Sequence, residues 1–257
     1  MGADSVLLLA AAGVASGLSG SIAGLASLFS YPALLAAGLP PVAANVTNTV
    51  ALFANTVGTA AGSREELRGQ RRRLVRLSLL AAAGGAAGAA LLLGTPASAF
   101  EGVVPWLIAL GSVLILVRDP LRRLTASRPE LTGGGTRAGT WALLPSALAV
   151  LLVGLYGGYF GAASGVLMLA VLSLFVNEPL PVTNAVKNIA TGAANAVAAL
   201  AYVFLAPVDW RAAAALGLGC LVGSRIGPVV VRRIPEKPLR IAIALAGLGL
   251  AVSLWRS

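Results

Sequence analysis

The chain has 257 residues, 58% of them hydrophobic and only 11% charged, with a mean hydropathy of +0.88. A soluble domain of this length needs far more charged surface, so the composition points to a polytopic membrane protein. Histidine is absent, Cys220 is the one cysteine and the formal charge is +10. These counts exclude a histidine base, a histidine-rich metal site and an internal disulfide. In an apolar chain a basic excess reports orientation in the membrane rather than nucleic-acid binding.

In chain order, apolar segments run over 5–38, 42–62, 74–94, 103–117, 140–176, 181–205, 210–231 and 239–255. The first follows Asp4 with no basic residue ahead of it, unlike the start of a cleaved signal peptide. Val6 stands where a myristoylation pattern needs Ser or Thr. Two segments, 5–38 and 140–176, are too long for one crossing, since each would make a helix of roughly 50 Å at 1.5 Å per residue. Both are broken by glycine, at Gly17, Gly20 and Gly24 and at Gly154, Gly157, Gly158 and Gly161. Both end in a proline turn, Leu39-Pro40-Pro41 and Glu178-Pro179-Leu180-Pro181.

The chain repeats itself. GLSGSIAGLAS (17–27) matches GLYGGYFGAAS (154–164) at an offset of 137. PVAANVTNTVALFAN (41–55) matches PVTNAVKNIATGAAN (181–195) at an offset of 140. This pairs Asn48 with Asn188, Asn55 with Asn195 and Thr47 with Lys187. A third block, GGAAG (84–88), matches GSRIG (223–227) at an offset of 139. Internal repeats of this kind are common in transporters. They predict a first membrane repeat over 1–118, a cytoplasmic linker over 119–139 and a second membrane repeat over 140–257.

Basic residues set the expected orientation. Six arginines lie in 64–76, five in 118–137 and four basic residues in 232–240. The positive-inside rule puts all three stretches on the cytoplasmic side. They share a side only if 140–176 crosses an even number of times. The glycine-broken segments therefore read as helical hairpins, fully spanning or re-entrant. The predicted fold is an all-α polytopic membrane protein of two inverted repeats. Each repeat is a glycine-broken hairpin followed by three transmembrane helices.

Polar residues within these segments are the candidates for function. The hairpin glycines permit two readings: close helix packing, or broken helices that present backbone N–H groups to an anion. Ser19, Ser27, Tyr156 and Ser164 could add hydroxyl donors. Asn48 and Asn55 are two helical turns apart, as are Asn188 and Asn195, so each pair lies on one helix face. They serve either as interhelical hydrogen bonds or as the wall of a substrate cavity. Lys187, beside Asn188 and near Asn184, is the one lysine inside a segment. A buried ammonium costs roughly 2.5–3.5 kcal/mol on insertion scales. Chains keep such a charge mainly where it faces a bundle interior or a watery cavity. Arg225, in GLGCLVGSRIGPVVV, either snorkels to the interface or makes a secondary contact on the anion path.

The glycine-broken first hairpin, Pro-Pro-Val-Ala-Ala-Asn-Val-Thr-Asn in one half, Asn-Ala-Val-Lys-Asn in the other, and Val-Asp-Trp before a glycine-rich helix together resemble the TauE/SafE family. The resemblance covers about 10–250. It departs at Ser21-Ile22-Ala23-Gly24, where more glycine is usual, and at Arg225, where an apolar residue is usual. It implies transport of a small sulfur oxyanion or organosulfonate across the bacterial inner membrane, with no cofactor and no nucleic acid. Carried over to this chain, it marks Thr47, Asn48, Asn55, Lys187, Asn188 and Asn195. Asn184, Ser27 and Ser164 complete the expected substrate-binding set. Export of sulfite or a short sulfonate is the expected direction, with import and a non-transporting subunit as alternatives. An intramembrane enzyme would need a base that the segments do not supply.

Overall fold

The computed structural model describes residues 2–63, 66–116, 140–175 and 179–231, with 245 and 252 as single positions. Nine helices and no strand are found among the described residues. They are α1 (Ala3–Ala23), α2 (Ser27–Ala36), α3 (Pro41–Gly62), α4 (Arg71–Gly94), α5 (Ala97–Leu116), α6 (Thr140–Tyr159), α7 (Ser164–Phe175), α8 (Leu180–Leu205) and α9 (Trp210–Val231). The linker expected at 119–139 lies outside the described residues. So does the segment expected at 239–255, except for its two single positions. Three stretches, Ala3–Ser21, Arg71–Gly94 and Pro181–Leu205, are long and apolar enough to cross a membrane.

Local sequence explains where these helices start and stop. Pro41 and Pro181 sit in the first turns of α3 and α8, where a missing N–H costs nothing. α1 ends at Gly24, which takes φ 73°. Its N–H donates to the Gly20 carbonyl, and the Leu25 N–H donates back to the Ser19 carbonyl. This is the left-handed glycine cap that closes many helices. The second break repeats it at Gly161, φ 78°, with Ala163 also left-handed at φ 57°. The two glycines are partners in the sequence repeat.

Each broken segment thus becomes one long and one short helix. The returning arms α2 and α7 have 10 and 12 residues. At 1.5 Å per residue they span roughly 15 and 18 Å, about half of a 30 Å hydrocarbon layer.

Glycine also sets the helix packing. Gly13 and Gly17 of α1 press on the backbone of α9 at Leu216, Cys220 and Ser224, and Gly219 and Gly223 press back on α1. In the same way Gly84 and Gly88 of α4 meet the backbone of α6, and Gly154 and Gly158 meet α4. Such backbone contact is available only to small residues, and it replaces the hydrophobic drive that lipid removes. Contact registers rise together for α1 with α9 and for α4 with α6, so each pair is parallel. Asn195 bonds to Thr49 while Gly192 meets Thr56, so α3 and α8 run in opposite senses. The contacts are exchanged between halves: α1 lies on α9 as α6 lies on α4, and α3 lies on α9 as α8 lies on α4.

The outer surface is apolar, with Leu79, Leu144, Leu200, Phe204 and Leu218 exposed. Polar residues lie inside: Asn45, Thr47, Asn48 and Lys187 are all at most 1% exposed. That reversal of the soluble pattern suits a bilayer.

Candidate functional site

The two glycine breaks meet at the centre of the bundle. A Cβ on Gly24 would lie 2.6 Å from the Cα of Gly165, so the tips touch backbone to backbone. Beside them is a cavity of about 70 Å³. At roughly 10–15 Å³ per enclosed water, it holds a few waters or one small anion.

Its walls come from both repeats. Asn48 and Asn55 of α3, Asn188 and Asn195 of α8, and Ser27 and Ser164 at the starts of α2 and α7 all line it. Gly20, Gly24, Gly157 and Gly161 form its floor. The hairpin glycines therefore divide their work: Gly17 and Gly158 pack helices, and these four open the cavity. Gly154 does both.

The first turns of α2 and α7 aim at this space. The positive ends of two helix dipoles favour an anion there, although the N–H groups of Leu28, Phe29, Ser164 and Val166 already donate to backbone carbonyls of the breaks. The amide oxygens of Asn48 and Asn55 are buried without a hydrogen-bond partner among the described residues. Half-turns of the terminal amide exchange oxygen for two N–H donors, so each can serve as donor or acceptor.

The α8 asparagines carry structural duties as well. Asn184 and Asn188 both donate to the Ser21 carbonyl, at 3.4 and 3.3 Å. In the other half Asn45 donates to the Tyr159 carbonyl at 2.8 Å. Each broken helix thus has one carbonyl of its last turn satisfied by asparagine from the opposite repeat. Asn195 donates to the Thr49 carbonyl at 3.0 Å, joining α8 to α3.

A second cavity of about 130 Å³ is lined by Ser21, Thr59, Ser63, Glu66, Asn184, Asn188 and Ser224. It shares Thr59 and Asn188 with the first and leads toward the α3–α4 connection. Asn188 therefore stands between the two spaces.

Three expected site residues lie elsewhere. Lys187 is fully buried on α8 and lines neither cavity. Thr47, its repeat partner, accepts a 3.0 Å hydrogen bond from the Asp209 N–H and so anchors the α8–α9 connection. Arg225 is exposed on the outer surface of α9.

Sequence reasoning missed the threonines of the wall, Thr49, Thr56, Thr59 and Thr191, and it missed Glu66. The signal was present in α3, where 48, 52, 55 and 59 follow one helix face. Glu66 was hidden in an arginine-rich connection.

A family model described as sulfite exporter TauE/SafE matches residues 9–254. The probable membrane transporter protein ORF9 of Sinorhizobium sp is 25% identical over 241 residues, covering 93% of this chain and 88% of that protein. A probable membrane transporter protein of Haemophilus influenzae is 22% identical over 232 residues, covering 90% and 87%. The apolar exterior, the buried polar centre and a family match over nearly the whole chain lead to one conclusion: this protein belongs to the TauE/SafE family of membrane transporters.

Proposed function

We propose that this protein exports a small sulfur-containing anion, sulfite or a short organosulfonate, across the bacterial inner membrane. The observation that carries this reading is the central cavity, where amides from both repeats and two helix N-termini converge. The family's description as a sulfite exporter supports the substrate class. Asn48, Asn55, Asn188 and Asn195 would donate to the oxyanion, with Ser27 and Ser164 adding hydroxyls. Lys187 would act through its charge from the wall behind Asn188, since fields are weakly screened in a dry interior. Asn184 would border the entry space. Thr47 and Arg225 would make no contact with the anion.

Export is downhill. A monoanion leaving a cell that is negative inside gains about 2.3 kcal/mol per 100 mV, and a dianion about twice that.

The site is tested by thermal melting of purified protein with increasing sulfite, because a ligand that binds only the folded state raises its melting temperature. Wild type is expected to shift with sulfite but not with sulfate at the same concentration, and a taurine series tells whether the site also takes a short organosulfonate. Lys187→Ala should lose most of the shift, and Lys187→Arg should keep part of it, because a planar guanidinium misplaces the charge. Equal shifts in wild type and Lys187→Ala would remove the lysine from substrate recognition. Efflux of labelled sulfite from vesicles under an imposed potential fixes the direction.

The two repeats would be inverted in the membrane. The opposed run of the repeat partners α3 and α8 supports this. The stretches 64–76, 118–137 and 232–240 would then all be cytoplasmic. Single cysteines placed in each, in a Cys220→Ser background, should resist an impermeant thiol reagent in intact cells. Labelling at 232–240 alone would establish parallel repeats.

A further inference from the structure

A third cavity, of about 310 Å³, lies on the flank of the bundle between α4, α6 and α7. It shares no lining residue with the central cavity. Arg72, Arg73 and Arg76 line one end, and Leu80, Val150 and Leu172 are among the residues lining the rest. From Arg72 to Leu80 the groove descends roughly 12 Å along the helix, at 1.5 Å per residue.

α4 is one of the spans long enough to cross the bilayer, so its arginine end lies at the membrane–water boundary. Among the described residues, no acidic residue lines the groove. Arg72 and Arg76, one turn apart on the same face, repel each other, which an anion between them would relieve. The apolar part opens onto the lipid-facing surface, where Val75, Leu79, Leu144 and Leu148 are 52–73% exposed. Cationic at the boundary and apolar below, the groove has the chemistry of one phospholipid.

The repeat supplies an independent argument. At the 139-residue offset that aligns α4 with α9, the three arginines correspond to Arg211, Ala212 and Ala215. Helix packing in the other repeat is achieved without the arginine cluster. The cluster is thus an addition to one repeat, and on one side of the membrane.

From this geometry we infer that the groove is a binding site for an anionic phospholipid. Its phosphate sits on the guanidiniums of Arg72, Arg73 and Arg76, and one acyl chain lies along Leu80, Val150 and Leu172. Arginine forks match phosphate oxygens two at a time. Basic recesses between transmembrane helices take lipid headgroups in this way. A free phosphate would use the arginines but gain nothing from the apolar floor.

The test uses the full chain in detergent, with melting followed as lipid is added. Phosphatidylglycerol should raise the melting temperature with saturating dependence, and phosphatidylcholine and inorganic phosphate should not. Arg72→Gln with Arg76→Gln should weaken the phosphatidylglycerol effect at least tenfold in midpoint while the lipid-free protein melts as wild type. Ala147→Phe, which fills the groove and keeps the arginines, should also remove it. Equal shifts with both lipids would overturn the site, as would a shift that survives the arginine substitutions. Inorganic phosphate matching phosphatidylglycerol would make it a free-anion site. No shift with any lipid would likewise overturn the site.

Discussion

Asn188→Leu is expected to lower transport per inserted molecule by at least tenfold. Asn188 lines both the central cavity and the entry space, and its amide also donates to the Ser21 carbonyl at the end of α1. Leucine fills a similar volume but removes a donor from the substrate wall. Leaving a buried polar partner unsatisfied costs about 1–3 kcal/mol, or roughly 5- to 150-fold at 1.36 kcal/mol per decade. Asn184→Leu is the control. Asn184 bonds to the same carbonyl but lines only the entry space. The two variants should therefore lose similar melting temperature, while only Asn188→Leu loses most of its transport. Parallel losses in both assays would reduce Asn188 to a helix cap.

Gly24→Ala should be among the most damaging single methyls in the protein. Two costs coincide there. The residue is left-handed at φ 73°, which costs a non-glycine residue roughly 1–2 kcal/mol. The new Cβ also meets the Gly165 backbone, with the Cα at 2.6 Å and the carbonyl carbon at 2.8 Å. Backbone cannot rotate out of the way, and overpacking of this kind costs about 1–3 kcal/mol. The sum is roughly 2–5 kcal/mol, a large part of the stability of a typical domain. Two variants separate the terms. Gly38→Ala has φ 90° and nothing within 4 Å, so it carries strain alone. Gly165→Ala meets the Gly24 Cα at 2.6 Å without a positive φ, so it carries the clash alone. Melting temperatures should fall least for Gly38→Ala and most for Gly24→Ala. A Gly24→Ala protein as stable as Gly38→Ala would mean that the hairpin tips can part freely. Transport should fail in both tip variants, since Gly24 and Gly165 also wall the cavity.

Much of the architecture was legible because its causes are local. Runs of apolar residues, glycine breaks at 24 and 161 and proline turns at 40–41 and 179–181 act on the backbone where they stand. The hairpins, the helices α3 and α8 and the repeat correspondence follow from them. α5 begins at Ala97, ahead of the apolar run read at 103–117, because the start of a helix follows backbone geometry rather than hydrophobicity.

The division of labour among polar residues was not local. The repeat pattern placed Thr47, Lys187, Asn48 and Asn188 in one group, since all recur at matching positions. Helix rotation separates them: at 100° per residue, neighbours in sequence face different partners. Asn48 and Asn188 turn to the cavity, Thr47 turns to the α8–α9 connection, and Lys187 lies buried away from the lining. The same is true of the glycines, where one face of α1 packs on α9 and the other opens the cavity. What the amino-acid sequence determined by itself was the membrane solvent, the breaks and the repeat, because composition and backbone preference need no partner. What only the tertiary structure decided was which side chains share a space, because that depends on how helices distant in the chain are rotated against one another.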